Sequence, residues 1–186
     1  MLFSGSTIKA PTLSESRWML LTQVALCSLL IALCAQIRIA LPFTPVPITF
    51  QTLAVLIVGG MLGSRNGALC VVLYLAEALL GLPVLSGGRS DPFFLLSPVG
   101  GYLVGYVIQA YLAGWFVERR KVLGRPVMYL GLGLACTIQM SCGAYWLAFF
   151  VGARHVWALG IAPFIVGELF KIALAGMFFK RYVRHC

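Results

Sequence analysis

The chain has 186 residues, 61% of them hydrophobic and only 10% charged, with a net charge of +9. A soluble domain carries about a quarter charged residues, so this composition excludes an ordinary soluble fold and fits an integral membrane protein. The basic residues lie between apolar runs instead of in one patch, which argues against nucleic acid as a partner and for membrane topology. The cysteines (Cys27, Cys34, Cys70, Cys136, Cys142 and Cys186) contain no C-x-x-C and mostly sit inside apolar runs. They read as small buried hydrophobes, neither a metal site nor a disulfide framework.

Residues 1–16 are polar and predict a short cytosolic tail; residues 17–184 predict a single membrane domain. The tail lacks a charged stretch followed by an apolar core, so no cleaved signal peptide is expected. Arg17-Trp18 opens an apolar run reaching about Ile37, close to the ~20 residues a spanning helix needs. In Leu41-Pro-Phe-Thr-Pro-Val-Pro-Ile48 the prolines cannot continue a helix and bias each preceding residue toward extended geometry. This is a stiff loop in which Thr44 and Thr49 offer hydroxyls.

A second apolar run, about Phe50 to Leu62, opens with Gln51-Thr52 and closes at Gly63-Ser-Arg-Asn66. The third, about Gly67 to Leu80, contains Glu77, which reads as structural near a helix end. Both are short for a full span, so a tilted helix or a dipping loop is expected. Gly81-Leu-Pro-Val-Leu-Ser-Gly87-Gly88-Arg89-Ser-Asp91-Pro92 is a second irregular loop. The fourth run extends from about Ser97 to Val117 and ends against Glu118-Arg119-Arg120-Lys121. The fifth covers about Val127 to Val151 and the sixth about Ile161 to Phe179, closed by Lys180-Arg181.

Six spans place both termini on one side. With the N-terminus inside, the inner flanks hold Lys9, Arg17, Arg65, Arg119, Arg120, Lys121, Arg125, Lys180, Arg181 and Arg184. The outer loops hold Arg38, Arg89 and Arg154. That bias puts both ends in the cytoplasm and the Pro-rich and Gly-Gly loops outside.

The sixth run carries the sharpest signal, Gly167-Glu168-Leu-Phe-Lys171. Glu168 and Lys171 are spaced i, i+3 and share a helix face. At ~1.5 Å per residue Glu168 lies about 10 Å below the outer end of its helix. Ionisable groups at membrane depth cost ~2.5–3.5 kcal/mol on insertion scales and usually face a cavity, a partner or a transport path. Two readings are open and compatible: a self-neutralised pair that locks helix packing, or the floor of a ligand site.

There is no G-x-x-x-x-G-K-[ST] nucleotide loop and no H-E-x-x-H, and no Ser, His and acid are arranged for acyl transfer. His155 reads as a solvated loop residue. Gly59-x-x-x-Gly63, Gly101-x-x-x-Gly105 and Gly131-x-x-x-Ala135 are small-residue spacings that let helices approach. Ser28-x-x-x-Ala32 in the first helix, if it faces outward, offers a flat surface to another membrane subunit.

Ala35-Gln-Ile-Arg38-Ile-Ala-Leu-Pro-Phe-Thr44-Pro-Val-Pro-Ile-Thr49-Phe-Gln51-Thr52-Leu closely resembles the first loop and second helix of the BioY family, the biotin-binding S components of energy-coupling-factor (ECF) vitamin transporters. Tyr74, Gly81-Leu-Pro83-Val, Gly87-Gly88 and Pro98-Val-Gly100-Gly101-Tyr102-Leu look like its central segment. Gly167-Glu168-Leu-Phe-Lys171 resembles its last-helix Gly-Asp-x-x-Lys. The similarity covers roughly Arg17 to Arg181. The chain departs at Glu168, where the family pattern has Asp; the extra methylene keeps the charge and shifts the oxygens.

The resemblance implies an all-α, six-helix substrate-binding subunit of the cell membrane, not an enzyme. It would dock on a transmembrane coupling protein powered by two ATPases and need no cofactor. Biotin is the implied ligand. Glu168 is expected to accept its ureido N–H groups, with Lys171 pairing with Glu168 or donating to the ureido oxygen. Gln51, Thr44 and Ser86 are supplementary contacts, Tyr102 and Tyr74 wall the bicyclic ring, and Gly87 and Gly88 shape the roof. Arg89 either meets the ligand carboxylate or is simply solvated. Ser28 and Ala32 are the expected docking contact. Competing readings are an S component or small carrier for another vitamin-like solute, and a membrane enzyme acting on a lipid or isoprenoid.

Overall fold

The computed structural model describes residues 13–182. Its helices are α1 (Leu13–Gln36), α2 (Gln51–Leu79), α3 (Gly100–Glu118), the short α4 (Arg120–Leu123), α5 (Arg125–Val151) and α6 (Ala162–Tyr182). A two-residue antiparallel ribbon, β1 (Arg38–Ile39) and β2 (Ile48–Thr49), pinches the base of the Pro-rich loop. Among the described residues, four helical stretches are long and apolar enough to cross a membrane: Trp18–Gln36, Gln51–Leu79, Arg125–Val151 and Trp157–Arg181. Helix α1 starts at Leu13, inside the segment expected as tail, because a helix continues past the apolar residues that mark the membrane. The rest of that tail, and residues 183–186, lie outside the described residues.

The molecule is apolar outside and polar within. Leu29, Leu33, Val166, Leu169 and Phe170 are exposed, while Ser28, Gln51, Thr52, Gln109, Gln139, Glu168 and Lys171 are buried. Side chains apolar all round a helix suit hydrocarbon as solvent, and the polar groups then converge on one another.

Helix α2 is folded on itself. Gly63 breaks it with φ 83° and ψ 172°, a conformation open essentially to glycine alone. A Cβ on Gly67 would lie 2.7 Å from Gly59 Cα, whereas in a straight helix these residues would be ~12 Å apart. The two arms, residues 51–62 and 64–79, therefore run back along each other, matching the two short apolar runs read from the sequence. Glu118, at the end of α3, caps the second arm: its carboxylate accepts from Ser64 N at 2.9 Å and Ser64 Oγ at 3.1 Å. A side chain on Gly114 of α3 would strike the Gly63–Ser64 backbone, so that glycine seats the bend.

At ~1.5 Å per residue the first arm is roughly 18 Å long, short of the ~30 Å hydrocarbon core. The Pro-rich loop ahead of it makes up the depth by turning into the bundle, where Thr44, Val46 and Thr49 are buried. Irregular backbone is tolerated at such depth only where protein surrounds it. Here the loop is tied to the start of the last helix. A π-helical turn, Trp157–Ile161, frees carbonyls, and Thr44 Oγ1 donates to Leu159 O at 2.7 Å while Tyr102 Oη donates to Gly160 O at 2.8 Å.

Candidate functional site

Two adjoining cavities occupy the end of the bundle that carries both irregular loops. The larger, about 390 Å³, lies between the Pro-rich loop and residues 85–99 and includes Arg38, Thr44, Gln51, Ser86, Arg89 and Asp91 in its lining. Its size falls within the ~300–1,000 Å³ typical of small-ligand sites. The smaller, about 40 Å³, is lined by Thr52, Gln139, Phe164, Glu168 and Lys171. Val46, Pro47, Thr49, Tyr102 and Tyr106 line both and form the waist between them.

Glu168 and Lys171 are both buried, and Lys171 Nζ donates to Glu168 Oε1 at 2.7 Å. Thr52, on the first arm of α2, completes a triangle: it accepts from Lys171 Nζ at 2.8 Å and donates to Glu168 Oε1 at 2.9 Å. The hydrogen bonds from Lys171 and Thr52 thus both fall on Oε1. Glu168 Oε2 is buried and has no partner among the described residues. A buried carboxylate oxygen without a donor is costly, so the second oxygen is where an incoming donor gains most. Self-pairing and ligand binding are compatible here, because the pair leaves half the carboxylate unspent.

Above this floor, Gln51 is held by its neighbours. Its Nε2 donates to Tyr74 Oη at 2.7 Å, and its Oε1 accepts from Tyr106 Oη at 3.4 Å. At the mouth, Arg38 and Arg89 supply two guanidinium groups and Asp91 one carboxylate, whose Oδ1 also accepts from Phe93 N.

The structure brings Glu168, Lys171, Gln51, Thr44, Ser86, Arg89 and Tyr102 to these two cavities. Three other expectations need correction. Tyr74 is no wall: it is fully buried behind Gln51, donating its hydroxyl to Val84 O, and lines neither cavity. Gly87 and Gly88 line neither cavity. The positive φ of Gly87 instead makes a flat shelf for the Arg38 guanidinium, which a Cβ there would strike. Thr44 faces the larger cavity, but its hydroxyl proton is spent on Leu159 O. Ser28 and Ala32 do not face outward. Ser28 Oγ donates to Glu77 Oε2 at 2.6 Å, and both residues pack in the core against α2.

Sequence reasoning passed over Thr52, Tyr106, Gln139, Arg38 and Phe164. Gln139 and Tyr106 each left a trace, as polar groups inside otherwise apolar runs; that trace fixes burial but not which cavity the side chain meets.

Residues 9–186 match the model of the BioY family. The chain is 36% identical over 170 residues to a Rhodobacter capsulatus protein named biotin transporter BioY, covering 80% of this chain and 88% of that one. It is 34% identical over 161 residues to the probable biotin transporter BioY of Pyrococcus horikoshii, covering 86% and 94%. Among solved structures, the S-component for biotin from an ECF-type ABC transporter superposes with a TM-score of 0.79 at 27% identity. That match spans 94% of this chain and 95% of the other. With its length matched almost throughout, and its two loops and last helix assembled around one polar floor, the chain belongs to the BioY family.

Proposed function

We propose that this chain captures biotin at the loop-bearing end of a membrane bundle and hands it on for uptake. The observation that carries the reading is the buried triangle of Glu168, Lys171 and Thr52, with one carboxylate oxygen of Glu168 left without a partner among the described residues beside a cavity that Glu168 lines. Biotin has the matching chemistry. Its ureido ring offers N–H donors and a carbonyl acceptor, its thioether ring and valeryl chain are apolar, and its carboxylate is anionic. The ureido end meets Glu168, the third N–H of Lys171 is free for the ureido oxygen, and the chain lies along Pro47, Val99 and Leu103. The carboxylate then reaches Arg38 and Arg89 at the mouth.

In this reading the chain is one six-span unit of the cell membrane, with the two arms of α2 counted separately and both termini cytoplasmic. The positive-inside bias supports that orientation, since Arg65 and Arg119 fall at the end opposite the cavity mouth. The chain has no nucleotide loop, so uptake draws on an ECF coupling protein with two ATPases. The names carried by the relatives support biotin as cargo.

Competition discriminates the cargo. Uptake of labelled biotin by cells expressing the chain should be blocked by excess biotin, more weakly by desthiobiotin, and not by thiamine or riboflavin. Equal blocking by unrelated vitamins would assign the site to another solute.

A further inference from the structure

The geometry points to Gln139 as a specificity-determining residue that takes one ureido N–H of the ligand while Glu168 takes the other. The inference rests on the biotin reading. Gln139 is 1% exposed, in the middle of α5, and lines the inner cavity together with Glu168. Its Nε2 donates to Tyr102 O at 3.3 Å. A carbonyl oxygen can only accept, so the nitrogen must lie on that side and Oε1 must point away from it. That oxygen has no partner among the described residues, and neither does Glu168 Oε2.

Glycines hold the amide in place. A Cβ on Gly105 of α3 would come within 3.0 Å of Gln139 O and 3.2 Å of its Cγ, and a Cβ on Gly143 would overlap the Tyr102 ring. The close α3–α5 approach leaves the Gln139 side chain little room to swing. The residues that line the inner cavity therefore carry two buried, unspent acceptors together with one ammonium that already serves Glu168 and Thr52. Two acceptors and a single donor match in number a planar group with two N–H donors flanking one carbonyl, which is the edge of a cyclic urea. At about 40 Å³ the space suits such an edge and not a whole ring system. The bicyclic body stays at the waist between Tyr102 and Tyr106.

The test uses the purified full-length protein, titrated with biotin and with its two mono-N-methyl derivatives, each lacking one N–H. Wild type should lose affinity for both derivatives. Gln139→Leu should weaken biotin roughly tenfold, since it leaves a buried N–H without an acceptor. In that variant, methylation at one nitrogen should cost nothing further, while methylation at the other costs as much as in wild type. Gln139→Met, nearly equal in volume, repeats the comparison if Gln139→Leu fails to fold. Unchanged biotin affinity, or a loss with both methyl penalties intact, would overturn the role of Gln139 and leave the biotin reading standing. Wild type that binds no biotin would overturn both.

Discussion

Lys171 holds two oxygens at once, Glu168 Oε1 and Thr52 Oγ1, and each of these also touches the other. Removing one charge of a buried pair leaves the other uncompensated and costs about 3–5 kcal/mol, whereas replacing both by groups of similar shape is often near neutral. Lys171→Met alone should therefore lower the unfolding temperature in detergent markedly. The double variant Glu168→Gln with Lys171→Met should recover most of that loss without recovering biotin binding. Thr52→Val should keep the fold and weaken binding severalfold, at ~0.5–1.5 kcal/mol for a neutral hydrogen bond; titration checks it. The pair itself was legible in the sequence, because i, i+3 spacing in an apolar run fixes a shared face. Thr52 was not, since its link to Glu168 depends on how α2 packs against α6. Tyr74 misled for a related reason: the family resemblance put it forward as a wall of the ligand ring, and only packing reveals that it stands behind Gln51.

At the scale of elements, the α2 hairpin shows which features a sequence carries on its surface. Two short apolar runs separated by Gly63-Ser-Arg-Asn66 announce a turn-back. Its cap does not announce itself, because Glu118 lies far along the chain and reaches Ser64 only after α3 has packed. Gly63→Ala should destabilise the protein by at least about 1–3 kcal/mol, since that φ and ψ suit glycine and a Cβ there would also meet Glu118 Oε1. Glu118→Ala should lower the unfolding temperature by a smaller amount. Thermal unfolding of the two variants side by side checks the order. The π-helical turn was likewise invisible, because Trp157-Ala-Leu-Gly-Ile161 reads as ordinary helix. Its extra carbonyls make sense only once the Thr44 and Tyr102 hydroxyls are seen beside them.

For the molecule as a whole, the arrangement inverts a soluble protein: leucines and phenylalanines cover the outside, and the hydrogen-bonding groups converge around two cavities near one end. Composition was enough to foresee this, and charge bias supplied an orientation. Cysteines introduced by Arg154→Cys and by Arg65→Cys, both at exposed positions, test that orientation. In intact cells an impermeant thiol reagent should label the first and spare the second until the membrane is opened. Labelling of Arg65→Cys alone in intact cells would reverse the topology. The expected docking face on α1 was the least legible feature at this scale. Small-residue spacing signals close approach without naming the neighbour, and here Ser28 and Ala32 are taken by α2.

The most direct measurement is a calorimetric titration of the purified protein with biotin, run beside Lys171→Ala shown to be folded. Saturable binding by the wild type with at least about a tenfold loss in the variant, one decade per ~1.4 kcal/mol, is the expected result. Equal affinity in the two proteins would contradict a site built on the last helix.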